Sequence, residues 1–351
     1  MSWEERLIDA AELSRRGATV DSDLPTKIGV LIEHQREHWP LLRDGYEAFE
    51  RIESRRLQVE EAEVVVQHNP RRIFSTAAAV DPKAVASRPC FLCSQNLPAE
   101  EKGIGYGDFV ILCNPYPILE RHLSIVHREH GEQKIDGNIG SLLELARELG
   151  PDYFALYNGP QCGASAPDHL HFQACSRKLL PISEHLFDAE PVLSEDCPSC
   201  DETAANTFEL FTLGGCGRTT IVLRGGSLQE VEEWLSRLIG ELAERSDNPD
   251  GSVEPMLNIV CTWSNRLWTA YVFPRAKHRP AAYFAEGNDR LTISPGAIDM
   301  AGVVVVPGRE HFDRLTGERL TAIYREVSRN EEVINEMLDW MTSTEETFLG
   351  E

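Results

Sequence analysis

The sequence predicts a mixed fold of the α+β or α/β class, on three observations. Apolar runs of strand length recur along the chain, and residues at helical spacing alternate with them in both halves. The chain has 351 residues, 42% of them hydrophobic, enough for one large domain or two modest ones.

The first fifty residues read as helical, with Ile28, Leu31, Ile32, Tyr46 and Phe49 at helical spacing. Leu57–Val59 and Val64–Val66 are short strands joined through Glu60-Glu61, and Asn69-Pro70 ends the second. Cys90-Phe91-Leu92-Cys93 lies in a loop after Pro89. Phe109–Leu112 is a strand ended by Asn114-Pro115 and Pro117, and Leu123–Val126 is another. Leu142, Leu143, Leu145, Ala146 and Leu149 mark a helix. Phe154–Tyr157 is a strand, residues 158–167 a loop, and His169–Cys175 one more strand. Residues 181–199, rich in prolines and acids, connect the halves. Phe208–Leu213 and Thr219–Leu223 form a hairpin around Gly214-Gly215. Ser227-Leu228-Gln229-Glu230 is a capping box that opens a helix with Val231, Trp234, Leu235, Leu238, Ile239 and Leu242 inside. Leu257–Val260, Trp268–Phe273 and Val303–Val306 are strands, and Leu320, Ile323, Tyr324 and Val327 line a closing helix.

Lysine and arginine number 34 against 57 acids, a formal net charge of −23. That balance argues against a nucleic-acid polymer as partner, which needs a basic face. A few local arginines still suffice for a small anion. No apolar run approaches the roughly 20 residues that span a bilayer. Met1-Ser2-Trp3-Glu4-Glu5 lacks a secretory signal's apolar stretch. A cytoplasmic protein without a membrane partner is expected. Its nine cysteines are then thiols or metal ligands rather than disulfides.

The chemistry concentrates in Asp168-His169-Leu170-His171-Phe172-Gln173. On a strand, His169, His171 and Gln173 would share one face, which suits a site better than a core. A neutral imidazole, with a reference pKa of about 6.5, is a competent nucleophile near neutral pH. Upstream, Tyr157 to Ser165 is a loop of small residues whose backbone N–H groups, with Asn158 and Ser165, could cradle phosphate oxygens.

Asn158-Gly159, Gly163-Ala164-Ser165 and His169-Leu170-His171-Phe172-Gln173 together resemble the active-site segment of the histidine-triad superfamily. The resemblance is to the branch of galactose-1-phosphate uridylyltransferase, the dinucleoside-tetraphosphate phosphorylases and the GDP-hexose phosphorylases. Asn114-Pro115 through Val126 resembles that branch's nucleotide-pocket strands, and Met256–Trp263 with Trp268–Arg275 resembles its C-terminal half. Leu112 stands where many members have an acid for the ribose.

The resemblance implies an α+β protein of two fused histidine-triad-like halves, each an antiparallel sheet with packed helices, the second degenerate. The implied division is a helical segment over 1–54, a catalytic half over 55–190, and a degenerate half with C-terminal helices over 191–351. It also implies a nucleotidyltransferase or phosphorylase acting on a nucleoside diphosphate-sugar or a dinucleoside polyphosphate. His171 would carry a covalent nucleotidyl group, Gln173 would bond the phosphoryl group, and phosphate or a sugar phosphate would accept it. Asn158, Gly163, Ser165, Asn69, Arg71 and Arg275 are the candidate substrate contacts. Arg71 and Arg275 are favoured among four basic clusters, which also include Arg121-His122 and Arg177-Lys178. A hydrolase using the same histidine, or a non-catalytic nucleotide-binding zinc protein, are the rival readings. Monomer and homodimer are both open.

Cys90-x-x-Cys93 has metal-knuckle spacing. By the resemblance, His130 and His169 complete a structural zinc site, with His127 as a substitute for His130. Cys197-Pro198-Ser199-Cys200 could instead join the first pair, bind a separate metal, or be redox-active. Cys113, Cys162, Cys175, Cys216 and Cys261 read as small buried residues, Cys162 with some chance of oxidation.

Overall fold

Apolar runs and their alternation sort into two sheets in the computed structural model, which describes residues 1–73, 83, 85, 87–187, 189–196, 207–246 and 254–348. In chain order the strands are β1 (Glu53–Val59), β2 (Ala62–His68), β3 (Gly103–Tyr106), β4 (Phe109–Cys113), β5 (Leu123–His127), β6 (Tyr153–Asn158), β7 (His171–Ser176), β8 (Leu193–Asp196), β9 (Thr207–Thr212), β10 (Ile221–Gly225), β11 (Leu257–Ser264), β12 (Leu267–Pro274) and β13 (Val303–Val306). The fold is α+β. The large sheet has ten strands in the order β3-β4-β5-β7-β6-β11-β12-β10-β9-β8. Every pairing in it is antiparallel.

That order reads the same from both ends. In each half the third strand runs into a helix, Ile139–Leu149 after β5 and Leu228–Glu244 after β10. The chain then returns as the innermost strand, β6 or β11, and these two pair with each other. The molecule is thus one five-stranded unit repeated, joined into a continuous sheet. β12 corresponds to β7, and its sequence Leu-Trp-Thr-Ala-Tyr-Val-Phe-Pro has no histidine.

The strands look continuously apolar because the sheet is covered on both faces. Tyr153, Ala155 and Tyr157 pack with the two helices and with Leu24, Ile28 and Leu31 of the helix Leu24–His38. Phe154 and Leu156 face the other way, onto Val64, Val66 and Val303–Val306. β7 follows the same rule. Phe172 and Ala174 join the helical side and Cys175 the opposite one, so His171 and Gln173 face with Cys175.

The second sheet, β1-β2-β13, ties the two ends of the chain together. β13 runs parallel to β2. Of the helices in the second half, one agrees with expectation and one goes beyond it. Ser227 caps Leu228–Glu244 as expected, its Oγ accepting from the Glu230 N–H at 3.4 Å. The chain does not close at Val327, because the helix Glu331–Phe348 follows and buries Ile334, Met337, Leu338 and Met341. Among the described residues no helix is long and apolar enough to cross a membrane. Cys197 and Cys200 lie outside the described residues.

Candidate active site

The ladder of β7 begins at His171, opposite Val126 of β5. His169 therefore stands before the strand rather than on it, with its N–H turned back to the Ala166 carbonyl at 3.2 Å. This corrects the expectation of three polar groups on one strand face. The turn sends the His169 ring to the cysteines and leaves His171 and Gln173 facing together.

Next to His171, β6 and β7 part, their register ending at Leu156 opposite Gln173. The buried Gln133 side chain fills the gap. Its Oε1 accepts from the His171 N–H at 2.8 Å, and its Nε2 donates to the carbonyls of His171 at 3.0 Å and Asn158 at 2.9 Å. Gln133 was not singled out in the sequence, and a lone glutamine in a loop carries no signal for this role.

His171 is buried, 4% exposed. Its Nδ1 donates to the His169 carbonyl at 2.8 Å. A carbonyl only accepts, so the ring proton sits on Nδ1 and Nε2 keeps its lone pair. Nε2 has no hydrogen-bond partner among the described residues. Burial pushes the ring's pKa down to about 4, which favours the neutral imidazole.

Gln173 is fixed in the same manner. Ile118 N–H donates to His122 Nδ1 at 3.3 Å, so the His122 proton lies on Nε2 and is donated to Gln173 Oε1 at 2.8 Å. The Gln173 NH₂ is left to donate elsewhere. Burial, then the nearby Arg72, hold His122 neutral, its pKa pushed down to about 3. His122 is thus no cation for an anionic substrate. Its neighbour Arg121 is equally structural, donating to the Tyr153 hydroxyl at 3.1 Å. Lys178 pairs with Glu120 on the surface.

Asn158 ends β6 on the same sheet face as Phe154 and Leu156. Its Oδ1 accepts from Ala297 N–H at 2.8 Å and from Asn258 Nδ2 at 2.9 Å. Gly163 has φ +122°, and a Cβ there would lie 2.6 Å from Asn158 Oδ1. Glycine is required at this point because the loop presses onto the asparagine. Ser165 gives its carbonyl to Arg88 at 3.0 Å. Its hydroxyl bonds no described residue.

Among the proposed basic contacts, Arg275 does not fit. It is fully buried, and its guanidinium donates to Val327, Pro295, Lys277 and His278 carbonyls and to Asn258 Oδ1. No donor remains for a phosphate. Asn69 is also structural in part, donating from Nδ2 to the Pro117 carbonyl at 3.2 Å and so tying β2 to the loop between β4 and β5. Arg71 follows it in the short turn Pro70–Arg72, half-buried, and bonds no described residue.

Cys90, Cys93, His130 and His169 converge, their ligand atoms all within 4.8 Å of one another. Cys90 Sγ lies 3.3 Å from His169 Nδ1, Cys93 Sγ 3.4 Å from His130 Nδ1, and the two Nδ1 atoms 3.4 Å apart. A tetrahedral zinc at about 2.3 Å from sulfur and about 2.0–2.1 Å from nitrogen separates its ligands by roughly 3.3–3.8 Å. The donor set fits. His169 Nε2 donates to the His127 carbonyl at 2.7 Å, which turns Nδ1 inward. His127 itself accepts from Glu129 N–H at 3.1 Å and is not in the cluster. Of the cysteines read as buried, all five are: Cys113, Cys162, Cys175, Cys216 and Cys261.

The chain thus joins a two-half α+β fold to a His-x-His-x-Gln segment that enters β7 at His171. Among solved structures, yeast Ap4A phosphorylase Apa2 superposes with TM-score 0.55 at 17% identity, covering 82% of this chain and 96% of that one. The same enzyme in complex with Ap4A gives 0.51 at 17% identity, covering 82% and 96%. An ADP-glucose phosphorylase from Arabidopsis thaliana gives 0.34 at 14% identity, covering 80% and 99%. The yeast comparison establishes a fold shared with that phosphorylase. Residues 31–176 match the family described as Domain of unknown function (DUF4922). No curated protein matches the sequence.

Proposed function

We propose that the protein is a nucleotidyltransferase of the phosphorylase type, acting on a nucleoside diphosphate-sugar or a dinucleoside polyphosphate. The observation that carries this is the His171 ring, pinned at Nδ1 with Nε2 unpartnered, beside two amides whose oxygens are already engaged. The Nε2 lone pair attacks the α-phosphorus. The Nε2–P bond forms as the bond from phosphorus to the bridging oxygen breaks, and a sugar phosphate or nucleotide leaves. The His169 carbonyl stabilises the ring's growing positive charge through the Nδ1 proton. The NH₂ groups of Gln173 and Asn158, with the Ser165 hydroxyl, suit the crowded equatorial oxygens. Arg71 serves the leaving phosphate in this scheme. An oxygen of inorganic phosphate or of a sugar phosphate then attacks phosphorus, and the Nε2–P bond breaks. Cys90, Cys93, His130 and His169 would hold a zinc that supplies no chemistry in this scheme, and through it they would fix the chain on the N-terminal side of His171.

The test is a panel of nucleotide sugars and dinucleoside polyphosphates, Ap4A and ADP-glucose among them, incubated with inorganic phosphate and read by product mass. Phosphate-dependent release of a nucleoside diphosphate is expected. Without acceptor, a nucleotidyl-protein should form that is stable to alkali and lost in acid. A His171→Gly variant with full turnover would overturn the proposal, as would product that forms equally well without phosphate.

A further inference from the structure

We infer that Arg275 and Asn258 of the second half form a relay that sets the orientation of the Asn158 amide beside His171. The inference deepens the reading above, in which the Asn158 NH₂ contacts the transferred phosphoryl group. It makes the half whose β12 lacks the histidine of β7 a working part of the site in the other half.

Each link follows from donor and acceptor chemistry. A guanidinium only donates. Arg275 Nη1 lies 2.6 Å from the Asn258 side chain, so the Asn258 oxygen faces it. The Asn258 NH₂ must then point the other way, and it donates to Asn158 Oδ1 at 2.9 Å and to the Cys162 carbonyl at 2.6 Å. Ala297 N–H, which also only donates, meets the same Asn158 oxygen at 2.8 Å. The Asn158 oxygen is thus claimed twice from the second half. Its NH₂ is turned away and bonds no described residue. No choice of amide flip enters this chain of reasoning.

The placement agrees. Asn158 and Asn258 sit directly opposite each other in the β6–β11 ladder, where the two units join. Asn258 is fully buried, and Arg275 is the largest of the fully buried side chains among the described residues. Burying a cation is costly, and an apolar side chain of similar size would fill the same space. Arg275 has no carboxylate among its hydrogen-bond partners, only carbonyls and the Asn258 amide. An arginine here does what an apolar residue cannot: it dictates which end of Asn258 faces Asn158. The Cys162 contact carries the same control into the loop ahead of Gly163. Asn258 and Arg275 are positioning residues, since neither reaches substrate.

Two readouts test this. In protein labelled with ¹⁵N-asparagine, the Asn158 side-chain NH₂ pair is assigned by its loss in Asn158→Ala. Asn258→Asp keeps an acceptor for Arg275 and removes the donor to Asn158. The pair should shift or broaden in that variant, and in Arg275→Lys if Asn258→Asp does not fold. An unchanged pair in a folded variant overturns the relay. The second readout is single-turnover formation of the nucleotidyl-protein from Ap4A or ADP-glucose, whichever the wild type accepts. Asn258→Asp should slow it about tenfold or more, with little further loss when added to Asn158→Ala. Multiplying losses in the double variant would mean that Asn258 acts independently of Asn158, and the relay would be wrong. Wild-type protein that forms no nucleotidyl adduct would instead refute the proposed function, and the NMR result would still decide the relay.

Discussion

Beside His171, the Gln173 and Asn158 amides are each pinned at the oxygen and open at the NH₂, and His122 is among the groups that pin them. His122 is the one whose role is easiest to isolate, because it touches Gln173 and not the metal cluster. His122→Phe removes the donor that holds Gln173 Oε1 and leaves a ring of similar bulk. Losing one such bond is worth on the order of 1 kcal/mol, so nucleotidyl transfer should slow by roughly fivefold to tenfold. Metal content should be unaffected, and equal losses of rate and metal would show that His122 acts on the fold instead. A second residue-scale prediction concerns Glu254, a half-buried carboxyl that accepts from the Tyr157 hydroxyl and the Ile135 N–H, both at 2.6 Å. Burial raises its pKa from 4.5 to about 7, and those two hydrogen bonds only partly oppose the rise. Below pH 4.5 the carboxyl is protonated in both folded and unfolded chains. As pH rises toward 7 the unfolded chain ionises first, so folding loses roughly 3 kcal/mol across that window. Above it, both states are ionised and the loss stays constant. Glu254→Gln should flatten the dependence of melting temperature on pH between 4.5 and 7, and an unchanged slope would remove Glu254 as its source.

The elements explain which of these features were legible in the sequence. The strand of His171 stood out because polar side chains interrupt a fully apolar stretch at period two. Its first residue did not stand out, because only the His169–Ala166 turn marks where the ladder starts. Arg275 was misread for a related reason. An arginine in an acidic chain suggests an anion, and nothing local announces a guanidinium that spends its donors on carbonyls up to 52 residues away. Ile334, Met337, Leu338 and Met341 have helical spacing, but the acids around them mask the apolar stripe. β3 and β8 have four residues each, too short for an alternation to register. The N-terminal helices gain a role only in three dimensions. Trp3 Nε1 donates to the Arg128 carbonyl at 2.8 Å, and the buried Arg6 donates to the carbonyls of Ser94 and Leu97 at 3.0 and 2.7 Å. They brace the two loops that carry Cys93 and His130. Leu112, where an acid was missing, packs with Trp3, Cys90 and Leu92 beneath the knuckle.

At the scale of the whole molecule, the Cys90, Cys93, His130 and His169 cluster ties a loop outside the ladder to the adjoining ends of β5 and β7, which the sheet already pairs. Cys90 and Cys93 lie in a loop before β3, His130 follows β5, and His169 precedes β7. Four ligands from three segments restrict the unfolded chain little and the folded one strongly, so metal binding is itself folding free energy, up to about 10 kcal/mol at structural zinc sites. As isolated, the protein should carry one equivalent of zinc by elemental analysis. Cys93→Ala should bring that close to zero and lower the melting temperature by roughly 10 °C or more. His127→Ala is the discriminating control. Its ring is outside the cluster, and the carbonyl it lends to His169 belongs to the backbone and survives the substitution. Zinc content should therefore stay at one equivalent in His127→Ala. Loss of metal in that variant, or metal-free wild type with an unchanged melting point in Cys93→Ala, would mean that the four side chains converge for packing alone. The position of His171 would then depend on the β5–β7 ladder and on Gln133, without a metal clamp on its N-terminal side.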